Sequence, residues 1–169
     1  FKNIYITVGY KGAMLASHVI EHDVSAVFNT EGRGTAWWLY NTLVKNIDEP
    51  LLVLTCDNVI EMDFDLFLKD YYELGSPACL VVPVKPIKGI EGDFIFKDKE
   101  NYVQELSRSK NSDLYCSGIQ IINPYKINQL THHEEDFNLV WSQLISKKQM
   151  LCSTLIPDEW CSVDDLDQL

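Results

Sequence analysis

Leu51-Leu-Val-Leu-Thr-Cys-Asp-Asn-Val-Ile-Glu-Met-Asp-Phe-Asp65 is the stretch around which the chain is organised. Leu51 to Thr55 follow Pro50 as an unbroken run of apolar or β-favouring residues. Such a run, bounded by a breaker, predicts a strand buried on both faces of a parallel sheet. Polarity then flips to Cys56, Asp57 and Asn58. In open α/β sheets ligands bind beyond the carboxyl ends of the strands. A carboxylate at that place can hold a divalent cation against a phosphate. The competing reading of Asp57 is a turn former or helix cap.

Working outward, the N-terminal side alternates strand and helix. Ile4 to Val8 and Val24 to Phe28 predict strands, and residues 12 to 22 predict a helix with Gly12, Leu15, Ala16, Val19 and Ile20 on one face. That helix contains His18-Val-Ile-Glu-His22, formally a zinc-peptidase pattern, but without context it reads as two half-exposed histidines. Asn29 to Thr35 is a glycine-containing loop ahead of a helix from Ala36 to about Asn46. Its inward stripe is Ala36, Leu39, Tyr40, Leu43 and Ile47, with Trp38 opposite. A strand, a glycine loop and a helix start together can bring backbone N–H groups close to a ligand.

On the other side, Asp65 to Leu74 predicts a helix and Cys79 to Val84 a buried strand. Asp93 to Lys97 and Tyr102 to Leu106 predict a hairpin, and Tyr115 to Ile122 a strand broken by Gly118. A short helix at Pro124 and another over Asp136 to Ser146 precede a long last strand, Met150 to Ile156. The fold class expected is α/β: a three-layer α/β/α Rossmann-like domain with a mixed, mostly parallel sheet.

The 169 residues suffice for one domain. A formal net charge of −11 disfavours nucleic-acid or anionic-membrane binding, but a metal ion can still screen one phosphate locally. Cys56, Cys79, Cys116, Cys152 and Cys161 lie far apart, as reduced thiols of a cytoplasmic protein do. Phe1 opens almost directly into a strand with no Met before it, so the sequence reads as a piece of a longer polypeptide.

Several stretches, in order, resemble the sugar-phosphate nucleotidyltransferases (nucleoside-diphosphate-sugar pyrophosphorylases). Ile4-Tyr-Ile-Thr-Val-Gly-Tyr-Lys11 is similar to the family's strand ending in V-x-G-Y. Gly34, Thr35 and Ala36 look like the G-T-A segment that meets the base. Leu52-Val-Leu-Thr-Cys-Asp57 looks like the strand whose final aspartate binds Mg²⁺, with Asn58 beside it on the substrate side. Glu105 is similar to a sugar-contacting glutamate, and Tyr115-Cys-Ser-Gly-Ile-Gln-Ile-Ile-Asn-Pro124, with Ser117 and Gly118, to N-x-G-I-Y-x-F-x-P. Ser162-Val-Asp-Asp-Leu-Asp-Gln-Leu169 looks like V-D-T-P-E-D-L, which would make Asp164 the second metal ligand.

The resemblance implies a Mg²⁺-dependent enzyme of nucleotide-sugar and polysaccharide biosynthesis. A sugar 1-phosphate would attack a nucleoside triphosphate, giving a nucleotide sugar and pyrophosphate, with Asp57 and Asp164 as the catalytic, metal-holding pair. It leaves homo-oligomerisation open. The family's G-x-G-T-R loop and its lysine are absent and would precede Phe1, so residues 1–169 are expected to be one nucleotidyltransferase domain lacking that segment. Cys56 replaces a usual glycine, and Leu106 replaces a common sugar-site lysine that Arg108 or Lys110 could substitute. Ser162 stands where some branches carry the second aspartate. Two other readings remain: a GT-A-like glycosyltransferase using Asp63-Phe-Asp65 as a D-x-D motif, and a non-catalytic nucleotide-sugar-binding domain.

Overall fold

The computed structural model describes residues 2–90 and 92–163. Its centre is a pair of antiparallel strands, β5 (Cys79–Val84) and β8 (Tyr115–Ile122). Every residue of β5 is buried, as its uninterrupted apolar sequence requires. Side chains alternate between two cores. Cys79, Val81 and Ile122 face one cluster with Leu39, Val140 and Leu144. Leu80, Val82, Ile119 and Ile121 face the other, with Phe67 and Tyr71. The first core is covered by α2 (Trp37–Asn41), α4 (Pro124–Leu130) and α5 (Phe137–Ser146), the second by α3 (Phe64–Glu73). The layers are therefore α/β/α.

The far edge of β5 pairs in parallel with β9 (Met150–Cys152). The far edge of β8 is shared. Its carboxyl half pairs antiparallel with β3 (Leu51–Val53), and Tyr115 at its start pairs with Phe94 of β6 (Phe94–Lys97). β6 forms the expected hairpin with β7 (Val103–Ser107). The sheet is mixed, as anticipated, though most of its pairings are antiparallel. Pro83 is tolerated in β5 because the β8 register shifts between Val81 and Pro83, and β9 pairing ends at Val81.

Two small sheets lie outside. β1 (Tyr5–Val8) and β2 (Ala26–Asn29) pair in parallel around α1 (Gly12–Ile20). β4 (Asn58–Glu61) and β10 (Glu159–Ser162) form an antiparallel ribbon. Neither β4 nor β10 is expected from the sequence pattern.

Several expectations need correction. The strand expected over Leu51 to Thr55 ends at Val53 and is half-buried, and Leu54 is 48% exposed. Its outer edge has no strand beside it among the described residues. Of the expected apolar face of α1, only Val19 is buried, and Ile20 is 67% exposed. The helix after Ala36 breaks at Thr42, whose hydroxyl accepts from Val44 N–H at 3.3 Å and starts a 3-10 turn, Leu43–Asn46. That break turns Leu43 outward, while Trp38 packs against the core beside Phe137. The long strand over Met150 to Ile156 stops at Cys152 because Ser153 and Thr154 turn their donors to Asp70. Ser153 Oγ and Thr154 Oγ1 each donate to the Asp70 carboxylate at 2.6 Å, and Thr154 N–H donates at 3.0 Å.

Asp70 is buried on α3, so this cluster fastens the helix to the end of β9. Asp70→Ala strands three donors at once, and we expect a loss of about 2–4 kcal/mol in urea unfolding. Asp70→Asn keeps an acceptor and is expected to cost less. Equal, negligible losses for both would show that the cluster does not hold the helix.

Candidate functional site

The site is a cavity of about 2530 Å³ running between β1 and β3 and over the start of β8. Its walls include the carboxyl ends of both strands, the loop 30–35, the loop 133–139 and residues Trp160 and Ser162. It lies where the sheet offers open strand ends, the place expected for ligands in such folds.

Asp57 is half-buried on this wall, four residues beyond the end of β3. Its neighbourhood is built by the ribbon. Ser162 pairs with Asn58, and Val163 N–H donates to the Asp57 carbonyl at 2.9 Å. The Asn58 amide reaches Thr55 Oγ1 and the Asp57 carboxylate, and its oxygen accepts from the Trp160 indole N–H. The cavity lining includes Asp57 but not Asn58, whose side chain is used within the ribbon. The ribbon thus joins the chain after β3 to the chain just before Asp164, which itself lies outside the described residues.

Gly34 and Thr35 line the cavity, while Ala36 is fully buried in the core and does not. The loop is held by Glu135. Gly34 N–H donates to the Glu135 carboxylate at 3.2 Å, and Ala36 N–H donates to the Glu135 carbonyl at 2.9 Å. Phe137 N–H donates in return to Thr35 Oγ1 at 3.4 Å. A Cβ on Gly34 would lie 2.1 Å from the Glu135 carbonyl oxygen, so only glycine permits this approach. The sequence pattern marks Gly34, but Glu135 carries no signal beyond its place in an acidic run, His132-His-Glu-Glu-Asp136.

Ser117 and Gly118 also line the cavity. Ser117 Oγ donates to the Val82 carbonyl at 2.9 Å and accepts from Ile119 N–H at 3.1 Å. Its hydroxyl is therefore committed to the irregular stretch of β8 between the Cys116–Pro83 and Gln120–Val81 pairs. Gly118 takes φ +80°, a backbone shape that side chains disfavour, and faces Thr55. Glu105 does not line the cavity. It sits on β7 in an ion pair with Lys110 at 2.6 Å. Arg108, three residues on, does reach the wall, where it pairs with Asp93 at 3.5 Å.

The wall carries few cations, Lys2, Arg33 and Arg108, against a larger set of carboxylates. Arg33 lies over the Trp37 ring, 5.3 Å from its centroid. Burial pushes the Cys116 thiol up to about 11, which leaves it protonated and weakly nucleophilic at neutral pH. The D-x-D reading loses Asp63 to capping, since its carboxylate accepts from Asp65 and Leu66 N–H at the start of α3. His18 on α1 and His22 just after it are both exposed, their rings 4.8 Å apart and tilted by 57°, and no group of three or more metal-ligating residues occurs among the described residues. No described helix is long and apolar enough to cross a membrane.

This architecture matches Rossmann-like nucleotidyltransferase structures. HddC from Yersinia pseudotuberculosis aligns with a TM-score of 0.71 and 15% identity, over 99% of this chain and 75% of its own. The inositol-1-phosphate CTP transferase of T. maritima aligns with a TM-score of 0.73 and 11% identity, over 99% and 71%. A putative glucose-1-phosphate thymidylyltransferase from Bacillus anthracis aligns with a TM-score of 0.71 and 12% identity, over 95% and 70%. No family model matches the chain, and the search of curated proteins finds no match.

Gly34→Ala is expected to push Glu135 away and free the amides of Gly34 and Ala36, because its neighbour there is backbone rather than a flexible tip. We expect about 1–3 kcal/mol of destabilisation from the forced shift. Faster amide exchange at residue 36 should accompany it. A variant as stable as the parent, with unchanged exchange there, would contradict the close contact.

Proposed function

We propose that the chain is the catalytic part of a sugar-phosphate nucleotidyltransferase, joining a nucleoside triphosphate and a sugar 1-phosphate into a nucleotide sugar with release of pyrophosphate. The observation that carries this reading is the position of Asp57. It lies at the open end of a central-sheet strand, on the cavity wall, and its backbone is tied to Val163. The fold likeness to nucleotidyltransferases agrees with it.

The donor set suits magnesium. A hard oxygen ligand stands on a cavity wall poor in cations, and Mg²⁺ typically takes only one or two carboxylates, with phosphate and water completing its shell. Asp57 would hold the ion, with Asp164 proposed as its partner ligand. When bound, the ion would neutralise charge on the phosphate oxygens. The protein's share is placement. Gly34 and Thr35 offer a close-approach surface for the base, and the segment Ser117–Gly118 with Arg108 offers one for the sugar phosphate. Glu105 would act on the sugar side only indirectly, by holding Lys110. No protein nucleophile is required, since one phosphate oxygen attacks the α-phosphorus in line and pyrophosphate departs. Positioning and charge neutralisation supply the rate.

The complete polypeptide, given a panel of triphosphates and sugar 1-phosphates, is expected to release pyrophosphate with at least one pair in the presence of Mg²⁺. Asp57→Asn should lower that turnover by about 10²-fold or more, with an unchanged unfolding midpoint. Full turnover in this variant would refute the metal role, and glycosyl transfer from a supplied nucleotide sugar would replace the reaction. Residues 1–169 contain no G-x-G-T-R run to grip the triphosphate, so by themselves they are expected to be inactive. Robust turnover by these residues alone would sink that expectation.

A further inference from the structure

We propose that Gln120 reads the nucleobase of the triphosphate through an exocyclic ring carbonyl, so that the site takes guanine or a pyrimidine in preference to adenine. The inference rests on the nucleotidyltransferase reading above and narrows its substrate class.

Gln120 lies on β8 between Val53 of β3 and Val81 of β5. It lines the cavity, yet it is only 3% exposed. Its carboxamide oxygen accepts from the Trp141 indole N–H at 3.0 Å and from the Cys79 thiol at 3.3 Å. Both partners are donors. An indole nitrogen can only donate, and burial pushes the Cys79 thiol well above its ordinary pKa, so it keeps its proton. The amide is therefore fixed in orientation, because a flip would set N–H against N–H. Its Nε2 end has no hydrogen-bond partner among the described residues. Nor is that end sealed in, since no fully enclosed side-chain nitrogen or oxygen among the described residues lacks a partner. An otherwise buried side chain thus presents its amide hydrogens to the cavity. An enclosed donor of this kind favours a ligand that brings an acceptor.

The surroundings suit a flat heterocycle. The rings of Trp38, Phe137 and Trp141 line the cavity in succession, with centroids 6.1 Å apart for the first pair and 5.7 Å for the second. Aromatic rings of this kind hold bases by stacking. The succession runs from Gln120 to the loop that offers the close-approach surface for the base. Trp141 bonds Gln120, and Phe137 N–H donates to Thr35 Oγ1 at 3.4 Å.

The fixed amide also sets which base fits. Glutamine reads adenine with both ends of its amide, the oxygen on the N6 amino group and the nitrogen on N7. Here the oxygen is already spent on Trp141 and Cys79. What remains is a donor without an acceptor beside it. It pairs with a ring carbonyl, which guanine and every pyrimidine carry and adenine lacks, and it leaves the adenine amino group unmatched.

Equilibrium binding of GTP, UTP, CTP and ATP to the complete polypeptide with Mg²⁺ tests the inference. The best of the first three is expected to bind about tenfold or more tightly than ATP. Gln120→Met keeps a side chain of similar length without the amide. It should bring that ratio to within about threefold by weakening the preferred triphosphate, with ATP little changed. Should loss of the Trp141 acceptor unfold this variant, the unaltered protein still decides. Analogues of the preferred triphosphate, each lacking one exocyclic carbonyl, are compared with their parent. One of them is expected to bind about tenfold more weakly and to leave the Gln120 side-chain amide resonance where it stands in the free protein. ATP bound as tightly as the others, an unchanged ratio in folded Gln120→Met, or full affinity for every analogue would overturn this inference alone and leave the reaction standing. Binding of no triphosphate would overturn the nucleotidyltransferase reading and this inference with it.

Discussion

The structure depends on β8 having neighbours on both edges. Ile122 pairs with Cys79 on one side and Leu51 on the other, and Tyr115 pairs with Val84 and Phe94. Because side chains of a strand alternate between faces, this one strand divides the apolar residues into two cores and so fixes which helices can cover each. Gln120 faces the α5 side, where its oxygen accepts from Trp141 Nε1–H at 3.0 Å and from the Cys79 thiol at 3.3 Å. A buried amide placed so specifically penalises a one-residue slip of β8, which would carry it to the other core without these donors. The same register brings Ser117 and Gly118 to the cavity wall.

Onto that frame the site is assembled by segments that contribute little to the cores. Loop 30–35 is held by Glu135, and the chain at Asp57 is held by the β4–β10 ribbon. The loop is held by Gly34 and Ala36 N–H on Glu135 and by Phe137 N–H on the Thr35 hydroxyl, the chain at Asp57 by backbone pairing, and Thr35 and Asp57 both line the cavity. A carboxylate-rich wall is also a selective one. Without a cation, it repels phosphates. With a divalent ion at Asp57, the local sign reverses, so binding of metal and nucleotide would be mutually supportive.

How much of this was legible in the sequence varies with how local the cause is. The unbroken apolar run of β5 makes that strand readable, β6 is legible as one arm of a hairpin and β8 as a strand broken by Gly118, and α3 and α5 form close to where the sequence places them. The ribbon was not. Its strands have four residues each, and their pairing joins residues about a hundred positions apart, which no local pattern encodes. The strand from Met150 is shorter than expected for a related reason: Ser153 N–H still bonds the Val81 carbonyl, but Asp70, distant in sequence, takes Thr154 N–H and both hydroxyls. In the site, Gly34 and Asp57 stood out by type and place. Glu135 did not, because its role rests on a contact across 101 positions. Ala36 is expected at the base through the resemblance to the G-T-A segment, but it is fully buried in the core.

The disagreement at Leu51 to Leu54 differs in kind from these. Elsewhere, a described tertiary contact overrides the local pattern and can be named. Here, the pattern specifies cover on both faces, and no described strand lies beside the outer edge. β1 lies across the cavity and pairs with β2 alone among the described residues, and Ile4, just before it, is exposed to the same degree as Leu54. The edges of β1 and β3 thus form two walls of the cavity, so the strand end that carries Asp57 and the loop that carries Gly34 open into one space.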